Sequence, residues 1–347
     1  MPPEAPQPPL RLVLDTGALI ANWRALDRLS GSARAGAAVK ADGYSTGARR
    51  VVTALAGVGC RDFFVAYSSE AAELTALVDP GQISVLHGPL SASDVHFMQQ
   101  SGLRPVINSL PQARLWLEAG GGTCDLMIDT GINRLGLSMA SLGDPLVAKL
   151  DVQVLMSHMA SADEDCAQNE VQRLRWEEAR RQINTPEASL ANSAAIMLGS
   201  AYHGDLTRPG LSLYGGIPRA EMAEHIAPVI QPQVAILQVR DLVAGESVGY
   251  NATFTASHAM RVGVVALGYA DGYLRAWSGK GLMHHGEAAF PVIGRVSMDM
   301  TVIDLSAAPQ LREGDWLDLA YSLPESAEVT GLSQYELLTL LGRRFAR

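Results

Sequence analysis

Lys40 ends the apolar run Ala37-Ala38-Val39 and is followed at once by the turn signal Ala41-Asp42-Gly43-Tyr44. A lysine at the C-terminal tip of a buried strand has its charge partly desolvated, which lowers its pKa. Such an amine can act as a nucleophile or a base, or condense with a carbonyl to form a Schiff base. The bland alternative is a strand-end lysine that snorkels its ammonium into solvent. The choice depends on which other groups the fold brings to the same place.

Residues 10–228 alternate short apolar runs with helical stretches. Strands are expected at 37–40, 62–66, 83–86, 105–108, 125–129, 152–157, 188–192 and 211–214, with helices at 45–58, 68–77, 92–101, 111–119, 138–150 and 165–181. Each strand run is short, apolar and bounded by turn residues, as in a sheet buried on both faces. This α/β pattern predicts a closed (β/α)8 TIM-type barrel. The rival is an open doubly wound sheet, but no Gly-x-Gly-x-x-Gly follows the first strand. From 229 to 347 the texture becomes mostly β, with strand-like runs at 234–239, 261–267, 290–305 and 316–319 and a helical period near 333–341. This reads as a smaller, mostly-β C-terminal domain.

In such a barrel, chemistry belongs to the C-terminal ends of the strands. That filter selects Lys40 and Tyr44, Arg134 beyond Asp129-Thr130-Gly131, His158, Asn192-Ser193, and Arg208-Pro209-Gly210 ahead of the last expected strand. One lysine, one histidine and two arginines make a basic cup suited to a phosphate and a carboxylate. Ser193 and the backbone amides around Gly210 and Leu211 supply phosphate donors near the last two strands. Taken singly, His158 reads equally well as a satisfied core histidine, and either arginine as a structural ion-pair partner. A Schiff-base lysine, a phosphate cradle and a carboxylate-binding arginine together suggest pyridoxal phosphate acting on an amino acid.

Composition narrows the field. The 347 residues are 48% hydrophobic and 18% charged, an ordinary globular balance. A net charge of −9 argues against nucleic acid or an anionic membrane as partner, and no apolar run reaches the ~18 residues of a membrane span. The proline-rich residues 1–9 read as a disordered tail rather than a signal peptide. Cys60, Cys124 and Cys166 give neither a disulfide framework nor metal spacing, so a reducing cytoplasm is expected and a metal is not.

The chain resembles the bacterial alanine racemases along nearly its whole length. The resemblance is carried by Val39-Lys40-Ala41-Asp42-Gly43-Tyr44, Ile128-Asp129-Thr130-Gly131-Ile132-Asn133-Arg134-Leu135-Gly136, Ser157-His158-Met159-Ala160-Ser161-Ala162-Asp163-Glu164 and Ala191-Asn192-Ser193-Ala194. It continues through Arg208-Pro209-Gly210-Leu211-Ser212-Leu213-Tyr214-Gly215, Ser247-Val248-Gly249-Tyr250, Gly268-Tyr269-Ala270-Asp271-Gly272-Tyr273 and Val296-Ser297-Met298-Asp299. It implies that Lys40 holds pyridoxal phosphate as a Schiff base and serves as base toward the D-enantiomer. Tyr250 is the implied base toward the L-enantiomer, reaching the barrel of another subunit in a homodimer. It implies further that His158 and Arg208 form a relay supporting Tyr250, that Arg208 meets the pyridine nitrogen, and that Tyr44, Ser193, Gly210 and Leu211 serve the phosphate. Arg134 and the backbone near Met298 would hold the substrate carboxylate. The implied activity is interconversion of L- and D-alanine, supplying peptidoglycan or alanine catabolism.

Three departures from the family pattern stand out. Where many members carry an often carbamylated lysine seven residues before the carboxylate-binding arginine, this chain has Met127, so a bound anion such as chloride is expected to position Arg134. The usual C-terminal tyrosine is absent from Arg344-Phe345-Ala346-Arg347, which predicts a more open entrance. Tyr250 is followed by Asn251-Ala252-Thr253-Phe254, where glycine and a hydroxyl-bearing aromatic are more usual. Three rivals keep much of the motif set. They are a racemase for serine or a basic amino acid, a barrel-plus-β decarboxylase, and a non-catalytic pyridoxal phosphate carrier.

Overall fold

A computed structural model describes residues 7–346. Parallel strands Phe63–Val65, Ile83–Val85, Arg104–Ile107, Thr123–Asp129, Asp151–Met156 and Glu187–Ser189 follow one another in sequence order, each paired with its predecessor. The first strand is split into Arg34–Ala35 and Ala37–Ala38. Its second half pairs with Phe63–Val65 and its first half with the last strand, Leu206–Thr207. Hydrogen bonds from the amides of Asp205 to Ala188 and of Arg208 to Ala191, both 2.8 Å, join the last two strands, so the barrel closes. Phe63, Phe64, Val65, Ile83, Val85, Val106 and Ile107 are buried because parallel barrel strands are covered on both faces.

Three expectations need correction. Residues 211–214 form a 3-10 turn, Leu211–Tyr214, not a strand. Their alternation imitates a strand, but Gly215 takes a left-handed φ of 91° that ends the segment as a turn. The true eighth strand lies just upstream, so Arg208 follows it rather than preceding it. The first strand stops at Ala38 instead of running through Lys40. The helix expected over 138–150 is reduced to the short turns Met139–Ser141 and Val147–Lys149, broken at Gly143-Asp144-Pro145. A helix not anticipated, Thr16–Leu29, precedes the first strand and buries Leu19, Trp23 and Leu26.

The N-terminal mouth of the barrel is tied by charge. Arg34 bridges Asp62 (2.7 Å) and Glu187 (2.5 Å), and Arg104 lies 3.7 Å from Asp62 and 3.5 Å from Asp125. Asp125 is fully buried; one carboxylate oxygen accepts from Ser84 Oγ (2.6 Å), and the other has no partner among the described residues.

The second unit is a sheet of antiparallel strands. Ile230–Leu242, Met260–Val265, Thr301–Asp304, Ala288–Ile293, Leu282–His285 and Trp316–Leu319 pair in that order, and Trp316–Leu319 pairs back onto Ile230–Leu242. The run expected at 290–305 is therefore two strands parted by a loop that carries Met298. Helices Leu323–Thr330 and Gln334–Thr339 close the chain.

The domain boundary also moves. Leu10–Leu14 pairs antiparallel with Ile230–Leu242, from Leu10 opposite Val234 to Leu14 opposite Ile230. Leu10, Leu12 and Leu14 are buried while Arg11 and Val13 are exposed, the period of a strand with one face in water. The barrel unit is Thr16–Ala227 rather than 10–228, and residues 7–15 belong with the β unit. Residues 1–6 of the expected disordered tail lie outside the described residues, as does Arg347. Pro9 is already held, its carbonyl accepting from the Ala235 amide at 2.9 Å.

Candidate active site

Lys40 opens a left-handed helical turn. Ala41, Asp42, Gly43, Tyr44 and Ser45 all have positive φ, between 53° and 64°. For a non-glycine residue this conformation costs roughly 1–2 kcal/mol, so the turn must be held from outside. The Gly43 amide donates to Val39 O and the Ser45 amide to Ala41 O, both 2.8 Å. The Ala48 amide donates to Asp42 Oδ1 (2.9 Å), and Thr46 Oγ1 donates to Gly43 O (2.6 Å). Only Gly43 is at ease here, and a Cβ at that position would press on the Ala48 backbone at 3.1 Å.

The turn delivers Tyr44 against Tyr214, ring centroids 4.7 Å apart, and Tyr214 donates to Ala38 O at 2.9 Å. The Tyr44 hydroxyl meets the loop after the eighth strand, where a Cβ on Gly210 would fall 2.3 Å from it. Ser193 Oγ, fully buried, accepts from the amides of Gly210 (2.9 Å) and Ser212 (3.3 Å), with Leu211 between them. Hydroxyls and amides with no carboxylate among them form a donor set that fits a phosphate, and the absent Cβ of Gly210 is what lets the Tyr44 hydroxyl approach this loop.

Arg208 is buried, and no carboxylate among the described residues contacts it. It donates to the carbonyls of Ser189 (2.8 Å) and Ser157 (2.5 Å) and to Ser189 Oγ (2.5 Å). Burial pushes its pKa down to about 10, with the distant Asp125 only partly opposing this. His158 follows Ser157 at the same mouth. Desolvation, then the positive charges of Arg208, Arg134 and Lys40, push its pKa down to about 3, so the ring is neutral. Lys40 is half-buried, and its pKa is lowered by burial and then by Arg134 and Arg208, against the opposing pull of Glu70.

Arg134 sits on an exposed loop built by Asp129, whose Oδ1 accepts from the amides of Gly131 (2.8 Å), Ile132 (3.1 Å) and Asn133 (3.1 Å). Met127 is buried in the strand below, and no described residue forms a hydrogen bond or ion pair with Arg134. The brace between this loop and that of His158 is Gln172, a group missed in the sequence. It donates to Thr130 Oγ1 (3.1 Å) and His158 O (3.0 Å) and accepts from the Ala160 amide (2.9 Å). Nothing in the polar helix Ala167–Gln182 marks this glutamine in the sequence; its complete burial shows only in the structure.

The barrel mouth thus gathers Lys40, Tyr44, Arg134, His158, Ser193, Arg208, Gly210 and Leu211. Tyr250 and Met298 belong to the β unit. Tyr250 stands 70% exposed on the loop between Ser247–Val248 and Phe254–Thr255, where Asn251 and Ala252 take positive φ of 63° and 46°. Met298 is 52% exposed; its carbonyl accepts from the Ala270 amide at 3.0 Å, and a Cβ on Gly268 would strike that oxygen at 2.3 Å. Asp271 shapes the same turn by accepting from the Gly268 amide (2.9 Å) and Arg344 Nε (2.6 Å). No described group of His, Cys, Asp or Glu has the arrangement of a metal site, and no described helix is long and apolar enough to cross a membrane.

Residues 14–218 match the family model for the alanine racemase N-terminal domain, and residues 229–347 that for the C-terminal domain. The chain is 38% identical to the biosynthetic alanine racemase of Agrobacterium fabrum, over 98% of this chain and 94% of that one. It is 40% identical to the alanine racemase of Dinoroseobacter shibae, over 97% of each. Among solved structures it is similar to the Bartonella henselae alanine racemase with covalently bound pyridoxal phosphate, at a TM-score of 0.89 and 31% identity over 99% of both chains. With both family domains matched in order and relatives aligned end to end, the chain belongs to the alanine racemase family.

Proposed function

We propose that the chain interconverts L- and D-alanine with pyridoxal phosphate, Lys40 and Tyr250 being the two bases. The observation that carries this reading is the meeting, at one barrel mouth, of the half-buried Lys40 with the donor set of Tyr44, Ser193 and Gly210. Pyridoxal phosphate, when bound, holds an amine through its aldehyde and withdraws electrons from the Cα–H bond. Ser193, Tyr44 and the Gly210–Leu211 backbone hold the phosphate, and Lys40 is the attachment point.

Arg134, with the backbone near Met298, orients the substrate carboxylate. Lys40, its basicity lowered by burial and by Arg134 and Arg208, takes or returns the Cα proton on one face. Tyr250 of a second copy of the chain serves the opposite face, consistent with its exposure. Two bases are needed because a single base returning its proton to the face it left gives no inversion. His158 and Arg208 support Tyr250 as a relay. Arg208, assigned to the pyridine nitrogen, stays protonated at neutral pH even with its lowered pKa, so it hands over no proton there and electron withdrawal stays limited. That restraint favours simple proton return. We place the homodimer in the cytoplasm, feeding D-alanine to peptidoglycan or alanine to catabolism.

The test follows optical rotation and Cα deuterium together in D2O, with the cofactor and either alanine enantiomer. Loss of rotation from both with deuterium uptake is the expected result, and Tyr250→Phe should suppress exchange from L-alanine by about 10²–10⁴-fold while sparing exchange from D-alanine. A cofactor absorption band without exchange from any amino acid would leave only a carrier.

A further inference from the structure

We infer that Glu70 is a positioning residue for Lys40, its carboxylate clamping the peptide that follows the lysine to the tip of the neighbouring strand. The inference rests on Lys40 being the cofactor lysine. Glu70 lies in the first turn of the short helix Ser68–Ala72, after the second barrel strand. Its Oε1 accepts from the Ala41 amide at 2.8 Å and its Oε2 from the Ala66 amide at 2.7 Å. One carboxylate therefore joins the lysine-bearing turn to the end of Phe63–Val65.

The Ala41 contact is made where help is needed. Ala41 has φ 53° and ψ 48°, and it is the first of the left-handed residues; Asp42, Tyr44 and Ser45 are also not glycine. Charged hydrogen bonds to backbone amides are the strong kind, and this one fixes the peptide bond leaving Lys40, hence the direction of its side chain.

Glu70 also sets the local charge. Arg134 and Arg208 disfavour the protonated amine, while Glu70 favours it. His87, in edge contact with Tyr67 at 4.5 Å, and His158 both have lowered pKa values and face Lys40 as neutral rings. Asp42, on the lysine's own turn, accepts from the Ala48 amide. Glu70 is thus the carboxylate that holds the amine's basicity up in a setting that otherwise lowers it.

The test compares full-length wild type with Glu70→Ala and Glu70→Gln. Glutamine keeps the shape but has one acceptor oxygen for two amides, so it serves if alanine impairs folding. Amide hydrogen exchange is read at Ala41 and Ala66. The pH dependence of Lys40 reductive methylation is read by mass spectrometry on cofactor-free protein, and kcat and KM on the loaded enzyme. The expected result is a tenfold or greater acceleration of Ala41 exchange, a Lys40 profile moved to lower pH, and a kcat loss exceeding the change in KM. Unchanged Ala41 exchange or an unmoved Lys40 profile in both variants overturns the inference. Borohydride trapping of the cofactor in wild type tests the underlying assignment separately: capture at a lysine other than Lys40 sinks that assignment, whatever the Ala41 amide does.

Discussion

Arg208 Nη2 lies 2.5 Å from the carbonyl oxygen of Ser157, so the buried guanidinium is locked to the peptide that carries His158. The two groups assigned to one relay are therefore positioned by a single backbone contact. Arg208→Met would leave the buried Ser157 carbonyl without this donor, at about 1–3 kcal/mol, while Ser189 O keeps its bond from the Ser157 amide at 3.1 Å. A melting temperature lowered by several degrees is expected. Arg208→Lys should rescue only part of the loss, because an ammonium lacks the planar fork that reaches both carbonyls. Full rescue by lysine would mean that charge alone matters here.

His158 should remain neutral throughout the working range. Its pKa is depressed in the folded protein to about 3, below the ordinary histidine value. Its contribution to stability is therefore complete above the unfolded pKa near 6.5 and is lost as pH falls toward 3. In ¹⁵N-histidine spectra of the cofactor-free protein, its ring nitrogens should show no titration between pH 8 and 5. A midpoint near 6 would contradict the desolvation and the three nearby positive charges.

Gly210→Ala should weaken cofactor retention without unfolding the barrel. The added Cβ would lie 2.3 Å from the Tyr44 hydroxyl, and that ring cannot swing away because it stacks on buried Tyr214. A cofactor dissociation constant raised about tenfold, or about 1.4 kcal/mol, is expected from equilibrium titration. Made in a Tyr44→Phe background, the same glycine change should cost less than it does in wild type, since the nearest remaining ring atom is 3.0 Å away. Additive losses in the double variant would rule out the clash as the cause.

At the opposite mouth, burial pushes the Asp125 carboxyl up to about 6, with Arg104 and Ser84 only partly offsetting it. A raised carboxylate pKa gives stability that is present below the unfolded value near 4 and lost as pH rises through 6. Asp125→Asn removes that slope, so the variant should gain on wild type between pH 5 and pH 7.5 by about 1 kcal/mol. Denaturant midpoints of both proteins at the two pH values measure this. A pH-independent difference between them would refute the burial argument.

The sequence was legible where one local signal decided the element. The runs around Phe63, Ile83 and Val106 announce strands because they are apolar, brief and bounded by turn residues. Ser91 with Asp94 caps the N-terminus of the helix Ala92–Ser101, and Gly102, at a φ of 70°, ends it. Legibility failed where pairing outweighed pattern. Leu206–Thr207 is too short and too polar in its surroundings to be read as a strand, whereas Leu211–Tyr214 has the look of one and lacks the partner. Lys40, Tyr44, Arg134, His158, Ser193 and Arg208 could be picked out as candidates because strand tips concentrate chemistry, and the fold brings them to one barrel mouth. Glu70 and Gln172 were not, because the contacts that matter, Glu70 to the Ala41 amide and Gln172 to Thr130, join segments far apart in sequence that only the fold brings within reach. The left-handed turn left a single trace, Gly43, and nothing in the residues beside it signals that they share its conformation.

The pairing of Leu10 with Val234 has a consequence for how the chain is made. The strand Leu10–Leu14 leaves the ribosome with its partner still unsynthesised, and the whole barrel is translated between the two. The barrel unit can form while that strand waits, a lone edge with open hydrogen-bonding groups. The β unit can be completed only after residues 316–319 have emerged. Vectorial synthesis therefore sets a fixed order, barrel first and β unit last, and the waiting strand is the segment on which a chaperone would act.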